Sequence, residues 1–353
     1  MTKKVYVGMS GGVDSSLTAA LLVEQGYSVT GVYMKNWTQD LPGMRCPWAD
    51  DLADAKRVAV QLGIDFIVFD FEAEYRDKVV QYMIDEYRMG RTPNPDIMCN
   101  QEVKFCLFLD AALEDGAEMI ATGHYARKRS DQTLEHAARL ALAKDASKDQ
   151  TYFLYRVRGE ALARTLFPLG DYAKSEVRAM AKDRGLYTAG KKDSQGICFV
   201  GQIGIRDFLS QYVETTPGNI VDSQSGEVLG QHEGAIYYTL GQRHGLDIGG
   251  GLPYYVVGKD MERNIVHVST NLDDAAIWRT RISLAHTHWI NEVPDSGTYR
   301  VRVRHRAPLV PANLVIDGDT AEIHLHEAQR AVTPGQSIVI YQDDICLGGG
   351  IVA

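Results

Sequence analysis

At 353 residues the chain can bury a large core and is long enough for two or three domains. A net charge of −9 excludes indiscriminate binding to a polyanion, while a local basic patch would still suit RNA. No apolar run reaches the length of a membrane span, and Met1-Thr2-Lys3-Lys4 leads into a strand with no signal-peptide core, so a cytoplasmic protein with no membrane partner is expected.

The first element is an apolar strand, Val5-Tyr6-Val7-Gly8-Met9. It stops at Ser10-Gly11-Gly12-Val13-Asp14-Ser15-Ser16 and runs at once into a helix. The glycines permit a tight turn and let backbone N–H groups approach a phosphate. Ser10, Ser15 and Ser16 add hydroxyl donors at the positive end of a helix expected to start on Asp/Ser caps. The spacing is neither GxGxxG nor GxxxxGK[ST], which excludes the dinucleotide and Walker-type readings. Asp14 alone would repel bound phosphates, so its carboxylate suits either Mg²⁺ carried by a nucleotide or a helix cap.

Residues 29–34 and 66–69 read as strands, 50–62 and 73–89 as helices, and 118–123 as a further strand ending on Thr122-Gly123-His124. Strands alternating with such helices predict a parallel sheet covered on both faces. Ligands then sit beyond the carboxyl ends of the strands, where Ser10–Ser16, Met34–Trp37 and Gly123–His124 gather. Met34 is at the right place to touch adenine or to fill the core.

Between these elements lies Arg91-Thr92-Pro93-Asn94-Pro95-Asp96-Ile97-Met98-Cys99-Asn100, in which two prolines predict a rigid extended path that presents Asn94, Asp96, Cys99 and Asn100. With a helix expected from about Gln101, the Cys99 thiolate would be stabilised by free N–H groups, and Asp96 is a proton acceptor nearby; a buried cysteine in a structural turn is the other reading. The five cysteines, Cys46, Cys99, Cys106, Cys198 and Cys346, form no CxxC pair, and an odd count favours free thiols or a catalytic pair. Cys198 falls in a long polar loop over 188–198, where Lys191 and Lys192 would favour its thiolate. Two such loop thiols can meet in thiol–disulfide exchange, and Cys46 could join them in a three-thiolate site.

Residues 132–144 suit a helix or an excursion between strands, and 173–184 a helix. After about Gly201 come a short helix over 205–213, turns and short strands over 218–243, and a hairpin around Lys259-Asp260. From about Ala276 a period-two pattern with Pro and Gly turns predicts a small β domain. Within it Arg300, Arg302, Arg304 and Arg306 alternate with Val301, Val303 and His305, which predicts one positive strand face suited to a phosphate backbone or neutralised by neighbouring acidic strands.

Taken in order, GMSGGVDSS at Gly8–Ser16, MKNW at Met34–Trp37, GRTPNPDIMCN at Gly90–Asn100, ATGHYA at Ala121–Ala126, KDQTYFL at Lys148–Leu154, DSQGICF at Asp193–Phe199, GLPYYV at Gly251–Val256, and TPGQS with CLGGG near the end span almost the whole chain. Their set resembles the bacterial tRNA-specific 2-thiouridylases. The resemblance implies an α/β PP-loop ATP pyrophosphatase domain of the adenine-nucleotide hydrolase type over 1–200, a small central domain over 201–275, and a β-barrel-like domain over 276–353 that contacts tRNA. It implies ATP on Gly8, Met9, Ser10, Gly11, Gly12, Val13, Asp14 and Ser15, with Met34 and Gly123 framing the nucleoside and Mg²⁺ arriving with ATP. It assigns Cys99 as nucleophile, Cys198 as persulfide carrier, and Asp96 to the target base. tRNA contacts are implied at Asn94, Pro95, His124, Lys148, Asp149, Gln150, Arg304, His305 and Gln336, with His305 standing where relatives often have tyrosine. Implied partners are tRNAs for Lys, Glu and Gln and a persulfide donor, a cysteine desulfurase or sulfur-relay protein. A PP-loop ligase for a small acid would leave both thiols idle, and a non-catalytic RNA-binding module would need neither thiols nor a complete phosphate loop.

Overall fold

The computed structural model describes residues 2–40, 46–130, 137–192, 204–249, 253–271, 277–318 and 320–353. Cys198 and the rest of Asp193–Phe199 lie outside the described residues, as do 132–136 of the expected excursion, Gly201, Gly251 and Ala276.

The first part of the chain supplies β1 (Lys4–Gly8), β2 (Ser28–Lys35), β3 (Asp65–Asp70), β4 (Met119–Ala121), β5 (Arg127–Ser130), β6 (Ala138–Ala141) and β7 (Thr165–Leu166). Five of these make a parallel sheet in the order β3-β2-β1-β4-β7. Alternation along β1 sends its side chains to two cores. Val5 and Val7 join Ala19 and Leu22 of α1 (Val13–Glu24) and Ala55 and Val58 of α2 (Trp48–Leu62). Tyr6 joins Met83, Phe108 and Ile120 on the opposite face. Burying each such aliphatic side chain stabilises the fold by about 1.5–3 kcal/mol. The strand order reverses between β1 and β4, so the turns after Gly8 and Ala121 open onto the switch point where α/β sheets bind ligands.

The expected helix over 73–89 is observed as Glu72–Tyr75, a wide-turned π-helical stretch Arg76–Val80, and Gln81–Arg88. The stretch over 132–144 is no helix among its described residues. It ends in β6, which pairs with β5 as an excursion.

Downstream, β8 (Gly218–Asp222), β9 (Val228–His232), β10 (Tyr255–Asp260) and β11 (Ile265–Ser269) form a second sheet in the order β10-β11-β8-β9. The hairpin turn is not at Lys259-Asp260, which complete β10. It lies at 261–264, where Asp260 accepts from Arg263 N at 2.9 Å and Asn264 takes a φ of 54°.

The last strands are β12 (Trp278–Trp289), β13 (Gly297–Arg302), β14 (Val310–Asp317), β15 (Thr320–Arg330), β16 (Ser337–Gln342) and β17 (Ile345–Val352). Their order is β12-β15-β14-β13-β16-β17, and pairing of β12 with β17 closes the barrel. β6 also pairs with β17, through Ala141 opposite Ile345 and Leu140 opposite Cys346, so the excursion extends the barrel sheet. Tyr341 and Cys346 accordingly share a core with Cys99 and Tyr152.

Candidate active site

The glycine loop is shaped by contacts that exclude side chains. Gly11 has a φ of +70°, and a Cβ there would lie 2.3 Å from the Asp51 carbonyl oxygen. Gly12 is the N-cap of α1, extended and without a side-chain cap, so the Asp/Ser capping expected from the sequence is not formed. The positive end of a twelve-residue helix thus opens into the loop, a geometry made for an anion. Ser15 Oγ donates to Gly12 O at 3.2 Å and lies 3.2 Å from Ser10 N. Ser16, fully buried, turns its hydroxyl back to Gly12 O at 2.7 Å, which corrects its expected role as a donor to ligand. Gly123 lets β4's turn approach α1, since a Cβ would stand 2.9 Å from Ser15 N. The Met34 methyl closes on Gly8, 3.0 Å from where a Cβ would be.

Asp14 is held by groups the sequence reading missed. Lys174 Nζ reaches its two oxygens at 2.7 and 2.8 Å, and Tyr125 Oη donates to Oδ1 at 2.8 Å. The legible signal was a carboxylate in a phosphate-facing turn, which requires a cation beside it. With both oxygens engaged, Asp14 does not fit a protein-held metal. No group of three or more His, Cys, Asp or Glu that could hold a metal ion occurs among the described residues; the expected three-thiolate arrangement includes Cys198, which lies outside them.

The 91–100 segment is helical earlier than expected. Asn94 caps it, Oδ1 accepting from Ile97 N at 3.4 Å, with buried Pro95 as first residue. The helix runs from Pro95–Met98 into a π-helical Cys99–Leu107 and on to Phe108–Glu114. Cys99 therefore sits inside a helix and is fully buried, not at an open N-terminus. Burial pushes its thiol above the ordinary range; the Lys104 charge opposes it, the Asp96 charge adds to it, and a Tyr75 hydrogen bond opposes it least. Its resting form is the thiol. One helical turn apart, Asp96 Oδ1 and Asn100 Oδ1 are buried acceptors without a partner among the described residues. Cys46 is buried too, its Sγ 3.6 Å from Trp37 O, and Cys46, Cys99, Cys106 and Cys346 are free thiols. Lys191 does not stand free for Cys198: its ammonium is paired with Asp51 at 2.8 Å and Asp54 at 2.7 Å.

The residues expected to meet RNA divide into two groups. Arg304 is exposed and Lys148 partly buried. His124 is buried and hydrogen-bonded to Thr122 Oγ1 at 2.8 Å, and burial holds it neutral, well below its usual pKa. Gln336 Nε2 donates to Thr92 O at 2.8 Å, and Gln150 Oε1 accepts from Tyr125 N at 2.8 Å. His305 packs on Phe153 with ring centroids 4.3 Å apart. The uniform arginine face is corrected. β13 ends at Arg302, Arg306 turns to a φ of 62°, and Arg302 points inward to Asp149 at 2.6 Å. Asp149 is itself 3 % exposed, so its carboxylate is spent inside the molecule.

The fold and this loop define an α/β protein of the nucleotide-binding type, with a glycine turn and an uncapped helix N-terminus at the switch point of its sheet. Three family models match in succession: tRNA methyl transferase HUP domain over 3–202, tRNA methyl transferase PRC-barrel domain over 206–270, and aminomethyltransferase beta-barrel domain over 279–352. The chain is 47% identical to the tRNA-specific 2-thiouridylase MnmA of Idiomarina loihiensis, covering 99% of this chain and 96% of that one. It is 47% identical to that of Methylobacillus flagellatus, covering 100% and 99%, and 48% identical to that of Serratia proteamaculans, covering 99% and 97%. The chain belongs to the tRNA-specific 2-thiouridylase family.

Proposed function

We propose that this protein uses ATP and persulfide sulfur to convert the wobble uridine of tRNA to 2-thiouridine. The observation that carries the reading is one run of hydrogen bonds between the phosphate loop and the cysteine helix. Asp14 binds Tyr125, whose backbone O accepts from Gln150 N while its N–H donates to Gln150 Oε1, and three residues on Phe153 O accepts from Asn100 Nδ2 at 3.0 Å, next to Cys99. A nucleotide on the open α1 N-terminus and a base at Asp96 would so belong to one site.

The chemistry needs both halves. The C2 oxygen of uracil is a poor leaving group. Attack by that oxygen on the α-phosphate of ATP expels pyrophosphate and leaves an adenylate. Sulfur then bonds to C2 and AMP departs with the oxygen. The sulfur arrives as a persulfide on Cys198, from a cysteine desulfurase or relay protein. Either its terminal sulfur attacks C2 directly, AMP leaves, and Cys99 cleaves the resulting C2–S–S–Cys198 linkage to free the thiocarbonyl and form a Cys99–Cys198 disulfide, or Cys99 first displaces the terminal sulfur as hydrosulfide, forming the same disulfide, and the hydrosulfide attacks C2. Asp96 Oδ1, a buried acceptor in need of a donor, suits the imide N–H of the flipped base. Mg²⁺ enters on the phosphates of ATP, and Lys174 holds Asp14 beside them. The substrates are the tRNAs for Lys, Glu and Gln, acting in the cytoplasm on a chain divided at about 200 and 275. No helix among the described residues is long and apolar enough to cross a membrane.

The test is pyrophosphate release at saturating ATP and Mg²⁺. Release should depend on unmodified tRNA, and Asp14→Ala should lower it roughly a hundredfold, the size typical of losing a group that organises developing charge. Equal release without tRNA would point instead to a ligase for a small acid, and normal release by Asp14→Ala would remove the role given to the loop.

A further inference from the structure

We infer that Asp149–Phe153 is a positioning strap between the barrel and the reaction centre, and that Asp149 and Arg302 act on catalysis through it without touching tRNA. The inference rests on the thiolation reading above.

Asp149 is saturated from three directions. It accepts from Arg302 Nη1 of β13 at 2.6 Å, from Ala143 N at 2.9 Å and from Thr151 Oγ1 at 2.8 Å. Side-chain exposure is 9 % for Arg302 and 1 % for Asp149, which leaves no room for an RNA phosphate between them. The guanidinium lies over the Tyr341 ring at 5.4 Å, and Thr151 Oγ1 is 3.1 Å from Tyr341 Oη. Tyr152 Oη donates to Ser337 O at 2.8 Å, and Tyr155 Oη lies 3.1 Å from Ser337 Oγ. One face of the short helix Thr151–Leu154 is thus bolted to β13 and β16.

The other end of the strap reaches the chemistry. Phe153 O takes the Asn100 amide, and Gln150 pairs with Tyr125, whose hydroxyl holds Asp14. A barrel displaced by fractions of an ångström would move Asn100 and Tyr125 together, because packed interiors transmit displacement. A buried ion pair adds little net stability over a well-packed apolar pair, yet losing one partner leaves the other charge uncompensated and the geometry unfixed. The arrangement is therefore suited to alignment more than to cohesion.

The experiment compares wild type with Asp149→Asn by kcat and KM for tRNA-dependent pyrophosphate release, tRNA affinity over a salt series, and thermal midpoint. We expect kcat at saturating tRNA and ATP to fall about tenfold or more, with KM for tRNA, affinity and salt slope unchanged. Weaker tRNA binding with a shallower salt slope would mean a direct RNA contact and overturn the proposal. So would a lowered midpoint with unchanged kcat, the mark of a purely structural pair. Thr151→Val, which keeps the side-chain shape and removes only the hydroxyl bridging Asp149 to Tyr341, is read by the same criteria if Asp149→Asn does not fold. A wild-type protein that releases no pyrophosphate with tRNA would instead defeat the thiolation reading itself.

Discussion

At the scale of single residues, the phosphate loop was legible and the protonation states were not. Gly11 was readable because backbone close to an anion tolerates little else, and the structure gives it a φ of +70° and a contact with Asp51 that a side chain would disturb. Cys99 was readable as a residue of interest, but its thiol is held by complete burial, against the opposing effects of Lys104 and Tyr75, and burial is not written in the local spacing. His305 gives a pH dependence of definite sign. Burial first, then Arg306 and Arg302, push its pKa down to about 4, while Asp149 opposes them. The unfolded ring takes up a proton near its ordinary value of about 6.5. Between those limits the unfolded chain binds the proton that the folded ring refuses, so stability is full above the upper limit and falls with pH. Thermal midpoints from pH 7 to 4.5 should therefore drop less steeply for His305→Phe, which keeps the stack on Phe153. An identical slope in variant and wild type would contradict this.

At the scale of elements, strands were read well wherever one or both faces are buried, because periodicity records burial. What failed were the ends. β13 stops at Arg302 although the Arg/Val alternation continues, since Arg302 finds Asp149 and the chain then turns. The cysteine helix starts at Pro95, because Asn94 caps it and proline suits a first turn. The turn at 333–336, just before the strand that starts at Ser337, carries a prediction of its own. A Cβ on Gly335, at φ +88°, would lie 2.8 Å from Thr92 N, and that same N–H donates to Pro334 O at 2.8 Å. Gly335→Ala should cost about 1–3 kcal/mol by strained backbone and lost contact. Chemical denaturation measures it, and wild-type stability in the variant would show that the turn does not press on Thr92.

At the scale of the whole molecule, the parts are interlocked more than the sequence reading allowed. β5 and β6 leave the nucleotide-binding region to extend the barrel sheet, a pairing with β17 that no local pattern announces because the partners lie so far apart along the chain. Thr92 touches the barrel through Pro334 and Gln336 and the middle region through Thr239 at 3.2 Å. The segment carrying Asn94, Asp96 and Cys99 is therefore anchored from two sides before it enters the site. The function was legible earlier than this architecture, because loops that carry chemistry are written locally and the contacts that align them are not.

The central claim is that the C2 oxygen of the wobble uridine leaves on AMP after sulfur takes its place. The most direct measurement uses tRNA with heavy oxygen at C2 of that uridine, incubated with ATP, Mg²⁺ and a persulfide donor, followed by mass spectrometry of the AMP and of the anticodon nucleosides. The account predicts 2-thiouridine in step with AMP that carries the heavy oxygen. Thiolated nucleoside accompanied only by unlabelled AMP would contradict it.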